Sequence, residues 1–165
     1  MLSPEGMGRP FRVFRSRILQ ASPAEIFAVV NDFSRWKDWS PYSRRDPEAV
    51  LTQSGPPAGK GAVLEWRGKQ SGAGRMELVH SVPNERVEAR VEFQAPMKAT
   101  NLVTWEMSPA EGGGTEFAWT MTGEQPWYLA LAMRLFRLDR TLAAQFDEGM
   151  DHLAAVLDAA AKREG

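Results

Sequence analysis

Apolar and polar residues alternate through the middle of the chain and switch to a helical period near the start and over the last third. Phe11–Gln20 (FRVFRSRILQ) alternates and predicts a strand. Ser22-Pro23-Ala24-Glu25 then forms a capping box with proline at the first helical position. The Ser22 oxygen can accept from the free N–H groups while the Glu25 carboxylate reaches back. Ile26, Phe27 and Val30 share one face, which predicts a helix over 23–31. Ser34 is placed to cap a second short turn carrying Trp36, and Pro41 ends it.

Six further strand-like segments follow. Residues 48–53 form a weak one, and the turn-rich SGPPAGKG loop separates it from 62–69. There Leu64 and Trp66 share a face opposite Glu65 and Arg67. Met76, Leu78 and His80 fall together in 74–82. The cleanest alternation is 86–94, with Val87, Ala89, Val91 and Phe93 on one side and charged or amide residues on the other. Val103, Trp105 and Met107 line one face of 99–108, and Phe117, Trp119 and Met121 one face of 115–123. Pro83-Asn84 and Gly112-Gly113-Gly114 supply turns, and such short connections imply antiparallel pairing. After Pro126 there is no proline and one glycine, Gly149, as far as Lys162. Tyr128, Ala132, Leu135, Leu142, Phe146, Met150, Leu153 and Leu157 fall on one helical stripe, expected to cover the concave face of the sheet. Gln125–Trp127 resembles an opening turn, which leaves room for a separate first helix or a gate. The pattern predicts an α+β domain over 11–165 behind a loose tail at 1–10. Its seven-stranded antiparallel sheet curves around one long C-terminal helix, with two short helices after the first strand.

Composition narrows the function. The 165 residues suffice for one full core, and a chain of this size buries roughly 70% of its unfolded surface. Lys plus Arg is 20 against 21 for Asp plus Glu, a net charge of −1, which argues against nucleic acid as a partner. The absence of cysteine removes disulfides, iron–sulfur clusters and thiol chemistry. No apolar run approaches the ~20 residues of a membrane span, so stable insertion is not expected. The first ten residues carry no apolar signal core, and a cytoplasmic location is expected. Neither a metal nor a cofactor is expected. The two histidines, His80 and His152, have no ligand spacing. Gly59-Lys60-Gly61 lacks the spacing and the hydroxyl residue of a phosphate loop, and no nucleophile elbow occurs.

The ordered set of segments resembles the SRPBCC superfamily of START-like, helix-grip domains, and within it the polyketide cyclase/dehydrase-like branch. The resemblance rests on Ser22-Pro23-Ala24-Glu25-Ile26-Phe27, Asp32-Phe33, and Trp36-Lys37-Asp38-Trp39-Ser40-Pro41. It continues through Thr115–Gly123 (TEFAWTMTG), Asp139-Arg140-Thr141-Leu142 and Phe146–Met150. It implies the helix-grip fold and an internal cavity for a hydrophobic or amphipathic small molecule that is lipid-, steroid- or polyketide-like. It implies no particular reaction, since this superfamily includes carriers, receptors and cyclases.

Strand parity and the helical stripe then nominate Leu64, Trp66, Met76, Leu78, His80, Val91, Phe93, Val103, Trp105, Phe117, Trp119, Met121, Leu135, Leu142 and Phe146 as cavity lining. The tryptophans serve equally as core, and Trp36 and Trp39 are expected to fix the small helices against the sheet. Two residues are candidates for chemistry. An inward His80 could exchange a proton near neutrality or bond a ligand carbonyl, or it could simply be a strand histidine bonded to a neighbour. Asp139, within the apolar stripe, should be at least partly buried, either as a tether or as a bond to a ligand hydroxyl. Glu65, Glu77, Glu106 and Glu116 have outward parity. Three functions follow: a carrier of a hydrophobic small molecule, a cyclase/dehydrase-type enzyme using His80 or Asp139, or a protein-interaction module without a ligand. Oligomeric state, monomer or dimer, is left open.

Overall fold

The computed structural model describes residues 8–164. The expected tail lies mostly outside this range, at 1–7, and Arg9 and Pro10 open the first strand instead. The elements run β1 (Arg9–Leu19), α1 (Pro23–Val30), a 3-10 turn (Phe33–Arg35), α2 (Trp36–Trp39), β2 (Val50–Ser54), β3 (Val63–Gly68), β4 (Gly72–Val82), β5 (Arg86–Ala95), β6 (Ala99–Pro109), β7 (Thr115–Gln125), α3 (Trp127–Leu135) and α4 (Leu138–Glu164). The seven strands form one sheet in the order β1-β7-β6-β5-β4-β3-β2, and every neighbouring pair is antiparallel. This is the helix-grip α+β architecture.

Local chemistry explains the starts and turns. The Ser22–Glu25 capping box is present in both directions. The second short helical stretch is capped differently from expectation. Asp32 Oδ1, not Ser34, accepts, taking the Ser34 N–H at 2.9 Å and the Ser34 hydroxyl at 2.7 Å. The carboxylate sits on the extended residue ahead of the turn, where a side-chain acceptor reaches the free donors. At Pro83-Asn84, Asn84 has φ 63 and Glu85 N–H bonds Val82 O at 3.1 Å, the geometry of a type II turn.

The concave face buries α4. Ala143, Phe146, Gly149, Met150, Leu153 and Leu157 face the sheet with spacings of three and four, and all are buried. Each large side chain among them contributes about 1.5–3 kcal/mol through burial. Arg15 and Arg17 on edge strand β1 pair with Asp147 and Asp151 of α4. These half-exposed pairs fix the helix direction more than they stabilise it.

The C-terminal stripe is interrupted. α3 ends at Leu135, and Arg137, with φ 52, turns the chain before α4 begins. No residue of α3 is buried, so the expected stripe at Tyr128, Ala132 and Leu135 does not cover the sheet. The separate first helix is the outcome the opening turn allowed. Among the described residues, no helix is long and apolar enough to cross a membrane.

Candidate functional site

Between the concave sheet and α4 lies a partly open cavity of about 120 Å³. Its walls come from three sources. The sheet gives Trp66, Met76, Val91, Phe93, Val103, Trp105, Trp119 and Met121, α4 gives Phe146, and the segment through α2 gives Trp36, Pro41 and Tyr42. Ser71 of the β3–β4 turn completes it. Trp66, Ser71, Phe93 and Tyr42 are half-buried and mark the mouth, whereas the other lining residues are buried.

Four tryptophans organise the floor. Trp36, Trp39, Trp105 and Trp119 meet edge to face, with Trp36 and Trp39 centroids 4.8 Å apart and Trp105 and Trp119 5.7 Å apart. That arrangement sets positive ring edges on negative ring faces. The buried indole N–H groups of Trp39, Trp105 and Trp119 have no hydrogen-bond acceptor among the described residues. Trp36 and Trp39 thus fix the short helices against the sheet as expected, and Trp36 also walls the cavity.

The mouth depends on two glycines. Gly74 pairs directly with Trp66 on the neighbouring strand, and a Cβ there would lie 2.3 Å from Trp66 Cη2. The indole therefore lies over bare backbone, edge to face with Phe93 at 5.8 Å, and donates from Nε1 to Ser71 O at 3.1 Å. Below it, buried Asp46 accepts from Ser71 Oγ at 2.6 Å, Ser71 N at 2.9 Å and Gln70 N at 3.2 Å. The Ser71 hydroxyl, then its backbone N–H, hold the Asp46 carboxyl below the usual carboxylate range, against the opposing effect of desolvation. A Cβ at Gly68 would fall 2.0 Å from Asp46 Oδ2, so glycine makes room for this anchor.

The polar side chains of the wall are two hydroxyls. Tyr42 Oη donates to Gln145 Oε1 of α4 at 2.9 Å. Burial raises the Tyr42 phenol above its ordinary value, with Arg45 opposing, so it stays a neutral donor. Two further ties hold the same segment on α4. Arg45 pairs with Glu148 at 2.6 Å, and His152 Nδ1 lies 3.2 Å from Ser40 O, which can only accept. Among the described residues, no carboxylate, imidazole or amine lines the cavity. The site can exclude water, stack planar groups and offer hydroxyls. It holds no acid–base pair.

Several expected lining residues lie elsewhere. Leu64, Leu78 and Phe117 are fully buried core, and Leu142 is partly buried against that core, away from the cavity. Leu135 is 67% exposed on α3. His80 faces outward because the β4–β5 register slips at Val79: Leu78 pairs with inward Ala89, but His80 pairs with outward Glu88. One extra residue moves every later side chain to the other face. Ser81 takes the inward place and donates to Asn31 Oδ1 at 2.7 Å. Asp139 is exposed and carries none of the expected bonds. It occupies the first turn of α4, where a negative charge suits the helix dipole, and α4 is not buried before Ala143. Sequence reasoning missed Trp36, Pro41, Tyr42, Ser71 and Asp46. The Trp36–Pro41 run was visible as aromatic and turn-forming, but nothing local placed Ser71 or Asp46. Among the described residues, no cluster of three His, Asp or Glu side chains could hold a metal ion.

A family model described as "Polyketide cyclase / dehydrase and lipid transport" matches residues 10–158. No match to a curated protein was found. Solved structures share the fold at low identity. A protein of unknown function from Staphylococcus aureus is 12% identical with TM-score 0.71, covering 94% of this chain and 98% of that one. A Chromobacterium violaceum protein is 18% identical with TM-score 0.64, covering 88% and 96%. StfQ, a di-domain ARO/CYC protein of the steffimycin biosynthetic pathway, is 12% identical with TM-score 0.68; the alignment covers 93% of this chain and 52% of StfQ.

Proposed function

The chain belongs to the polyketide cyclase/dehydrase and lipid-transport family, and from that premise we propose that it binds and carries an apolar small molecule with a planar, aromatic-sized end. The observation that carries this reading is the composition of the cavity: tryptophan, phenylalanine and methionine walls with two hydroxyls near the mouth and no ionisable acid–base pair. Apolar concave sites with a few placed polar groups are the usual form of small-molecule pockets. The volume sets the scale. About 120 Å³ is close to the size of an engineered cavity of about 150 Å³ that takes one benzene ring. A ligand with one ring therefore seats its ring inside, against Trp105 and Trp119, and extends any tail toward the mouth residues Tyr42, Trp66, Ser71 and Phe93. The Tyr42 and Ser71 hydroxyls donate their protons to Gln145 and Asp46, so their oxygens accept from a hydroxyl on that tail.

The carrier reading is favoured over the cyclase/dehydrase-type reading because both residues nominated for proton transfer, His80 and Asp139, lie off the cavity. It is favoured over a ligand-free interaction module because side chains do not fill the space. Intrinsic tryptophan fluorescence tests it. Titration with single-ring alkylphenol probes of increasing tail length should quench emission with one-to-one saturation, and native mass spectrometry should retain the complex. Probes that leave the emission unchanged at concentrations up to their solubility would overturn the reading.

A further inference from the structure

The exposed apolar surface is unevenly placed. Among the described residues, six of the twelve large hydrophobic side chains that face solvent fall within residues 127–138: Trp127, Tyr128, Leu131, Leu135, Phe136 and Leu138. Trp127, Leu131 and Leu135 are spaced by four and form one outward stripe of α3, 57%, 48% and 67% exposed. The helix therefore shows its apolar face to solvent, the reverse of a helix packed on its own core. Beside it lies a polar hollow of about 370 Å³ whose walls include Arg12, Arg134, Arg137 and Arg140, against one acid, Asp139. Four positive charges against one negative stand here in a chain whose net charge is −1.

The strand registers place this element relative to the cavity. Gly68 pairs with Gly72, Phe93 with Ala99, Asn101 with Gly123 and Arg9 with Gln125, so the mouth residues Trp66, Ser71 and Phe93 share one end of the sheet with the start of α3. The β5–β6 tip at that end adds exposed Met97 and the cation Lys98.

We propose that α3 and the α3–α4 corner dock the protein on the surface of an anionic lipid bilayer, with the cavity mouth toward the lipid. A stripe of Trp, Tyr, Leu and Phe rimmed by arginine is the composition of a helix that lies in the interface plane. Indole and phenol rings concentrate at headgroup depth. The charge selects this occupant over a second copy of the chain. A two-fold contact would set two copies of this net-positive patch against each other, whereas anionic headgroups neutralise it.

Vesicle cosedimentation of the full chain tests the proposal. The protein should pellet with phosphatidylcholine vesicles containing about 30% phosphatidylglycerol at low salt, and much less with phosphatidylcholine alone or at high salt. Replacing Arg134, Arg137 and Arg140 together by Gln should lower partitioning onto the anionic vesicles on the order of 100-fold, at about 1 kcal/mol per arginine. The double variant Leu131→Ser, Leu135→Ser should also lose binding, while Leu102→Ser on the sheet should bind as the parent does. All these residues are exposed, and circular dichroism melts of the variants should match the parent. Equal pelleting with neutral and anionic vesicles overturns the proposal, as does no pelleting at all. A dimer in light scattering that Leu131→Ser, Leu135→Ser disperses, without vesicle binding, assigns the face to a second copy and overturns it too.

Discussion

Trp119 of β7 lies flat against Phe146 of α4, with ring centroids 4.6 Å apart and planes 9° from parallel. The contact joins sheet to helix at the cavity wall, and Gly149 makes it possible. A Cβ at position 149 would lie 2.6 Å from Trp119 Cζ3 and 3.3 Å from Pro41 Cδ. Alanine would gain up to about 1 kcal/mol of helix propensity. Overpacking against a rigid ring costs about 1–3 kcal/mol, and the ring cannot swing aside while stacked on Phe146. Gly149→Ala should therefore be net destabilising by about 1 kcal/mol, a fall of about 2–4 °C in Tm. A thermal melt that rises on this substitution would show that the indole has room to move.

Phe146 is 2% exposed and bounds the cavity. Phe146→Ala should cost about 3–5 kcal/mol in denaturant unfolding. The vacated volume is continuous with the cavity, so a two-ring probe should bind the variant more tightly, relative to a one-ring probe, than it binds the parent. A loss under 1 kcal/mol would mean that Phe146 is not packed as core.

His80 and Asp139 offer a contrasting pair. Both are exposed and neither touches the cavity. His80→Ala and Asp139→Asn should each shift stability by less than about 0.5 kcal/mol and leave probe affinity unchanged. Isothermal titration with a bound probe checks this directly; a tenfold weakening in either variant would return that residue to the site.

These substitutions also mark what could be read from sequence. Alternation at 86–94 located β5 and its inward residues because each side chain there obeys the two-residue period. Phe146, Met150 and Leu153 were legible because a core-facing helix repeats at three and four. His80 was misplaced because the bulge at Val79 leaves no mark in the hydrophobic pattern, yet it reverses parity from that point on. The stripe was carried across Arg137 because arginine gives no warning of φ 52. The mouth was illegible for another reason: Asp46 and Ser71 are 25 residues apart and meet only after β3 and β4 pair.

Asp46 supplies the pH-dependent prediction. Its carboxylate accepts two bonds from Ser71 and one from Gln70, and these hold its pKa below the ordinary value. A depressed folded-state pKa means that the unfolded chain binds the proton first. The stabilisation is therefore fully present above the unfolded value of about 4 and is lost as pH falls through the lower folded value. Unfolding curves should show stability falling below about pH 4, together with loosening of the Ser71 turn and of Trp66 above it. Asp46→Asn keeps the shape, and its one carbonyl oxygen can take the place of Oδ2, where all three bonds fall, but it lacks the negative charge that strengthens them. The variant should be less stable at neutral pH and should lose the part of the acid dependence that Asp46 causes. Trp66 sits on the Ser71 carbonyl at 3.1 Å, so the same variant should weaken probe binding at the mouth. Parent and variant curves that run parallel from neutral pH to pH 3 would show that Asp46 is not the group that titrates.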